Sequence, residues 1–292
     1  MERDPNDMFK LAERVHKVPQ YPFAVIDKAR ERVKELHPDW KIISLGIGDP
    51  DKPTDPRIRR ALDEAVENDY STHRYPKYEG DKYLLEACSK WFRERFNVKL
   101  NPQKNMMITN GSKEALMHMI WAVMDPKDTI LVPVPYYPVY EMASIFTDAH
   151  IFHMPLKIEN DFLIDFDNIP VVVAESAKMM IISYPNNPTS KQADIDFYNK
   201  VVEFARKYEI IILSDAAYTE VYFGDAKPPS ILEVDGAMDV AIELHSFSKS
   251  YNMTGWRLGF AAGNPRLIEA LGIIKSNTDS GVFTAVQRAG IK

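Results

Sequence analysis

Apolar and polar positions change period along this chain. Apolar residues recur at helical spacing over about Phe23 to Leu36, Arg57 to Glu67, Tyr83 to Phe96 and Lys113 to Val123, and Gly, Pro and Asn signals separate these stretches. From Met106 onward, short apolar runs of strand length alternate with longer amphipathic ones. The predicted strands are Met106 to Thr109, Thr129 to Val134, Ile151 to Met154, Lys178 to Ser183, Ile210 to Ser214, Val240 to His245 and Leu258 to Ala262. Most of these runs do not alternate with period two, which predicts strands buried on both faces. The expected architecture is therefore α/β: three layers, helices on both sides of a mostly parallel seven-stranded sheet.

Ahead of that region stand a Pro-bounded arm, Val18 to Pro22, and a charged helical segment. Residues 1–44 are expected to form an arm and helix that pack on something else, such as a second subunit, and residues 45–292 the main domain. No internal repeat or low-complexity tract is present.

Composition narrows the class. At 292 residues the chain can bury a sizeable core. Its 42 acidic and 36 basic residues leave a charge of -6, and no Lys/Arg cluster is interleaved with aromatics, which argues against a nucleic-acid partner. The single cysteine, Cys88, falls where a helix wants a small buried residue, consistent with a reducing compartment. Met1 to Lys10 lacks an apolar h-region and no later stretch is long and apolar enough to span a bilayer, so a cytoplasmic protein is expected.

The polar residues that could carry chemistry cluster after strand-like runs, where parallel sheets bind ligands. Ser246-Phe247-Ser248-Lys249-Ser250 follows one such run and precedes Gly255-Trp256-Arg257-Leu258-Gly259-Phe260. A lysine here that can be neutral forms a Schiff base with an aldehyde, and Ser246 and Arg257 can bond a phosphate; alternatively they are a solvated Lys and a surface Arg. Asp215, in Ser214-Asp215-Ala216-Ala217-Tyr218, is a strand-end carboxylate or a helix N-cap. Asn110-Gly111-Ser112-Lys113 opens a helix whose N–H groups and dipole favour an anion, though Ser before a helix is also a common cap. Pro185-Asn186-Asn187-Pro188 is a turn signal, and Tyr136-Tyr137-Pro138 puts aromatics in a strand-end turn.

In their order from Leu45 to Phe260, seven segments resemble the fold-type I pyridoxal-phosphate aminotransferases of class I and II, the aspartate aminotransferase family. Besides the five above, they include His73-Arg74-Tyr75-Pro76-Lys77-Tyr78-Glu79-Gly80 and Leu45-Gly46-Ile47-Gly48-Asp49-Pro50. The resemblance implies the major domain of a pyridoxal-phosphate-dependent transferase and a set of roles. Lys249 carries the cofactor as a Schiff base and then serves as general base. Asp215 pairs with the pyridine nitrogen, and Tyr218 and Asn187 bond the phenolic oxygen, Asn187 lying also beside the substrate. Gly111, Ser112, Lys113, Ser246 and Arg257 hold the phosphate, and Ser248 is counted with the cofactor-binding residues. Tyr137 stacks on the ring, Tyr75 reaches the cofactor phosphate of a neighbouring subunit in a homodimer, and Gly48 lets backbone approach the substrate carboxylate. No metal is called for.

Several words are most similar to LL-diaminopimelate aminotransferases: Thr72-His73-Arg74-Tyr75-Pro76, Leu244-His245-Ser246-Phe247-Ser248-Lys249, Asn252-Met253-Thr254-Gly255-Trp256 and Ser276-Asn277-Thr278-Asp279-Ser280-Gly281. The implied reaction moves an amino group between that amino acid and a 2-oxo acid such as 2-oxoglutarate. The alternatives are a broad aspartate, alanine or aromatic aminotransferase, a cofactor-binding module without turnover, and a β-lyase on the same fold. The chain departs from the family at Ser190, where glycine is usual. Family members also continue for roughly another hundred residues, a small domain with the arginine that clamps the substrate carboxylate; that domain is expected to be absent or truncated in this chain.

Overall fold

A computed structural model describes residues 9–292 apart from Tyr21 and Ile47, and the backbone alone of Pro22. The chain divides into a unit ending at Asp49 and a unit running from Pro50 to Lys292. In the first, a short helix, Glu13–Lys17, precedes the helix Pro22–Leu36, and His37 and Trp40 stack at 3.9 Å. Of the Pro-bounded arm expected at Val18 to Pro22, Tyr21 lies outside the described residues, as do residues 1–8 of the charged N-terminus.

The second unit is built on seven strands: β1 Met106–Thr109, β2 Thr129–Val134, β3 His150–Pro155, β4 Ala177–Ile182, β5 Ile211–Asp215, β6 Ala241–Ser246 and β7 Gly259–Gly263. Each end lies within one residue of its sequence-based position. Their order is β1-β7-β6-β5-β4-β2-β3, and every pairing is parallel except those of β7, which is antiparallel to both β1 and β6.

Successive residues of one strand feed two different cores. Leu213, Ile242 and Leu244 belong to one apolar cluster, Ile212 and Ala241 to the other. This is why the strands read as unbroken apolar runs: helices cover both faces, so neither face may be polar. The helices start where carboxylates or an amide cap them: Asp55 before Pro56–Asn68, Asp81 before Lys82–Phe96, Asp194 before Ile195–Lys207 and Asn264 before Pro265–Thr278. Cys88 is buried in the helix Lys82–Phe96, and burial pushes its thiol up to about 12, which makes it an inert packing residue.

One polar network interrupts the second core. Glu243 of β6 is fully buried and accepts from Ser230 Oγ at 2.7 Å, from the Ile231 N–H at 3.1 Å and from Ser214 Oγ at 3.3 Å, while His245 Nε2 lies 2.8 Å from it. The His245 ring stacks on Phe260 at 4.8 Å.

Among the described residues no helix is long and apolar enough to cross a membrane.

Candidate active site

Strand direction gathers the candidate residues on one edge of the sheet. The carboxyl ends of β1, β4, β5 and β6 face the same way, and because β7 runs against them, its first residue joins that edge: Gly259 pairs with both Thr109 and Ser246. Arg257, two residues before Gly259, therefore meets the turn that follows Thr109. Its Nη2 donates to the Asn110 carbonyl at 3.4 Å and its Nη1 to the Thr254 carbonyl at 2.9 Å.

That turn opens the helix Ser112–Val123. Its N-cap is Gly111, at φ 78°, and no side chain caps the first turn. Ser112 is thus the first helical residue and not a cap, and the helix presents N–H groups and the positive end of its dipole at the sheet edge. Two glycines make the approach possible. A Cβ on Gly111 would stand 2.6 Å from Arg257 Nη2, and one on Gly259 would stand 2.7 Å from the His245 carbonyl oxygen and 2.9 Å from Gly111 C and Ser112 N. Arginine, glycine turn and helix terminus form a cradle suited to a phosphate.

Asp215 ends β5 and is buried, and no helix begins there, so it is not a helix cap. Tyr140 Oη donates to Asp215 Oδ2 at 2.8 Å and the Ala217 N–H reaches Oδ1 at 3.4 Å. Burial pushes the Asp215 carboxyl above the usual range, and the bonds from Tyr140 and Ala217 and the nearby His245 oppose that rise. Burial, and Asp215 in second place, likewise raise the phenol of the half-buried Tyr218. Tyr140 is fully buried and its own phenol is held well above the usual value, so it stays a donor. Its ring meets that of Tyr137 edge-on at 5.8 Å, which links Tyr137 to Asp215 through one intermediate residue.

Lys249 is half-buried in the single turn Phe247–Ser250 at the end of β6. Ser246 caps that turn, accepting the N–H of the buried Ser248 at 3.2 Å. Beyond β4, the two asparagines divide their work. Asn186 is buried and staples the loop, its Oδ1 accepting from the Thr189 N–H at 3.1 Å and Thr189 Oγ1 at 2.9 Å, whereas Asn187 is half-exposed. Ser190, where the family usually has glycine, sits at φ 61°, in the left-handed region that favours glycine.

Tyr75 is 91% exposed. Gly48 belongs to the N-terminal unit, and Ile47 beside it lies outside the described residues. Sequence reading missed Tyr140 and Glu114, the latter holding the Asn110 N–H at 2.6 Å. A tyrosine three residues after Tyr137, and an acid in the first turn of the helix after Gly111, were the signals available.

Residues 41–292 match the family described as Aminotransferase class I and II. LL-diaminopimelate aminotransferase from Aquifex aeolicus is 48% identical over 284 residues, which cover 97% of this chain and 73% of the relative. The enzyme of the same name from Syntrophobacter fumaroxidans is 49% identical over 283 residues, 97% of this chain and 72% of the relative. Among solved structures, substrate-bound BacF from Bacillus subtilis superimposes with a TM-score of 0.90 at 38% identity, covering 97% of this chain and 71% of that one.

Proposed function

The chain belongs to the class I and II aminotransferase family, a pyridoxal-phosphate-dependent transaminase family, and from that premise we propose that its amino donor is LL-diaminopimelate and its acceptor a 2-oxo acid such as 2-oxoglutarate. The observation that carries the cofactor is the pairing, on one sheet edge, of an uncapped helix terminus at Gly111 with a buried carboxylate at Asp215. The residues present fit the group: one end of the site is built for an anion, and the other offers a carboxylate whose charge is disfavoured by burial and would be stabilised by a cation beside it. The relatives at 48% and 49% identity, both LL-diaminopimelate aminotransferases, support the donor.

When bound, pyridoxal phosphate supplies an aldehyde to receive the amino group and a ring that takes up the electrons of the broken Cα–H bond. The chain does the rest. The N–H groups at Gly111, Ser112 and Lys113, with Ser246 and Arg257, would hold the phosphate, and Ser248 belongs with the residues that bind the cofactor. Asp215, whose ionised form the Tyr140 hydrogen bond favours, would pair with the ring nitrogen, where a cation offsets the cost of its burial. Tyr218 and Asn187 donate to the phenolic oxygen, and Tyr137 packs on the ring face. Lys249 Nζ holds the cofactor between turnovers and, once released, moves the proton from the substrate Cα. Asn187 would lie beside the substrate. We place the enzyme in the cytoplasm as a homodimer in which Tyr75 completes the partner's phosphate site; its near-complete exposure supports that reading.

The test is glutamate formation from 2-oxoglutarate at saturating cofactor with LL-diaminopimelate, aspartate, alanine and tyrosine as donors, alongside Lys249→Ala. We expect diaminopimelate to be preferred and the variant to be silent. A preference for another donor overturns the substrate, and release of pyruvate without glutamate would point to a lyase. Tyr75→Ala should lower cofactor affinity in the dimer.

A further inference from the structure

Lys275 lies on the helix Pro265–Thr278, and its side chain is fully buried. A buried ammonium persists only with bonded counter-charges. Here there are two. Its Nζ is 3.2 Å from Glu114 Oε2, and 2.8 and 3.0 Å from the two oxygens of Asp279. His118 completes the cluster, with Nδ1 2.6 Å from Glu114 Oε1 and Nε2 2.9 Å from Thr278 Oγ1.

Glu114, His118 and Asp279 present ligand atoms within 4.8 Å of one another, close enough to bracket a metal ion. The Lys275 ammonium already bonds both carboxylates, so the positive charge of this cluster is supplied from within the chain.

The cluster reaches the cradle through Glu114. Glu114 Oε2, which faces Lys275, also accepts the Asn110 N–H at 2.6 Å, while the Asn110 carbonyl accepts from Arg257 at 3.4 Å. The peptides flanking Asn110 are thus gripped from both sides, and Gly111 follows at φ 78°. This arrangement carries an electrostatic conflict. Glu114 fixes the turn but brings a carboxylate into the first turn of a helix whose N-terminus would receive a phosphate dianion, and like charges repel strongly at partly buried sites.

We propose that Lys275 resolves this conflict: it is a positioning and charge-compensating residue that lets Glu114 hold the phosphate turn without repelling the phosphate, an inference that rests on the cofactor reading above. Lys275→Met leaves Glu114 and Asp279 without their cation; Glu114→Gln keeps an acceptor of the same size for the Asn110 N–H and removes the negative charge. The two substitutions act on the phosphate with opposite sign.

The experiment measures dissociation constants of the intact chain for pyridoxal phosphate and for pyridoxal, which lacks the phosphate, by titrating the absorbance of the lysine-bound cofactor. Thermal unfolding verifies that each variant is folded. We expect the preference for the phosphorylated form to fall about ten-fold in Lys275→Met and to rise in Glu114→Gln. A purely structural role would weaken both ligands together and leave their ratio alone. If Lys275→Met does not fold, Glu114→Gln still decides: an unchanged or lower preference there overturns the inference. A ratio equal in all three chains overturns it as well, while the cofactor reading stands. Absence of any preference for the phosphorylated form in the unmodified chain overturns the cofactor reading and this inference together.

Discussion

The phenol of Tyr140 donates a 2.8 Å hydrogen bond to Oδ2 of Asp215, and both groups are buried. The bond joins the helix Val139–Phe146 to the end of β5 and is the largest of the effects that oppose the rise burial imposes on the carboxyl. Tyr140→Phe removes a hydrogen bond to a charged group, a loss of about 1.5–3 kcal/mol. Cofactor affinity and the half-reaction with amino acid should both fall by at least about ten-fold. Stopped-flow measurement of the half-reaction checks this, and unchanged rates would remove Tyr140 from the machinery.

Asp215 also predicts a pH dependence of the cofactor-free protein. Its carboxyl is raised in the folded state, so its contribution to stability is complete below the unfolded value of about 3.9 and is lost as pH rises through the folded value. Asp215→Asn escapes that loss. Urea unfolding at several pH values should show the variant gaining on the parent from about pH 4 upward and levelling off once the native carboxyl is ionised. Parallel curves would mean that Asp215 is not raised.

Gly259 is where β7 packs against the Gly111 turn, and the three atoms nearest to a Cβ there are all backbone, at 2.7 to 2.9 Å. Backbone cannot rotate aside, so Gly259→Ala should destabilise by about 1–3 kcal/mol. It should also weaken pyridoxal-phosphate binding by moving Arg257 relative to Gly111. A variant with unchanged unfolding and affinity would show that the strand can shift freely.

Ser190 holds a left-handed backbone at φ 61°. For a residue with a Cβ this costs about 1–2 kcal/mol, part of which glycine returns through its freer unfolded chain. Ser190→Gly is expected to be neutral or stabilising by up to about 1 kcal/mol, and Ser190→Val clearly destabilising. Denaturant midpoints of the two variants check the order, and a stable Val variant would contradict it.

Glu243 satisfies Ser230, Ile231, Ser214 and His245 at once. Glu243→Leu abandons these buried groups and should cost about 3–5 kcal/mol. Because β6 carries Ser246 and Lys249 just beyond it, cofactor binding should fall in parallel with stability. Near-parent stability would show that water replaces the carboxylate.

The sequence by itself determined the seven strands, the burial of most of them on both faces, and the residues at their carboxyl ends: Asn110, Asn187, Asp215, Ser246 and Lys249; the edge strand β3 is the exception, with one buried residue in six. These are local properties. Apolar periodicity and turn chemistry act over a few residues, and a polar residue directly after an apolar run has little choice but the edge of the sheet. Ser190 was legible for the same reason, since a backbone conformation is confined to its own turn. Only the tertiary structure decided that β7 enters antiparallel between β1 and β6, which carries Arg257 to Gly111 across the intervening 145 residues of chain. The same holds for Tyr140 beside Asp215, 75 residues apart, and for Lys275 beside Glu114, 161 residues apart. No local pattern marks such partners, because a buried charge or hydrogen bond is satisfied by whichever donor the packing of distant elements brings within about 3 Å.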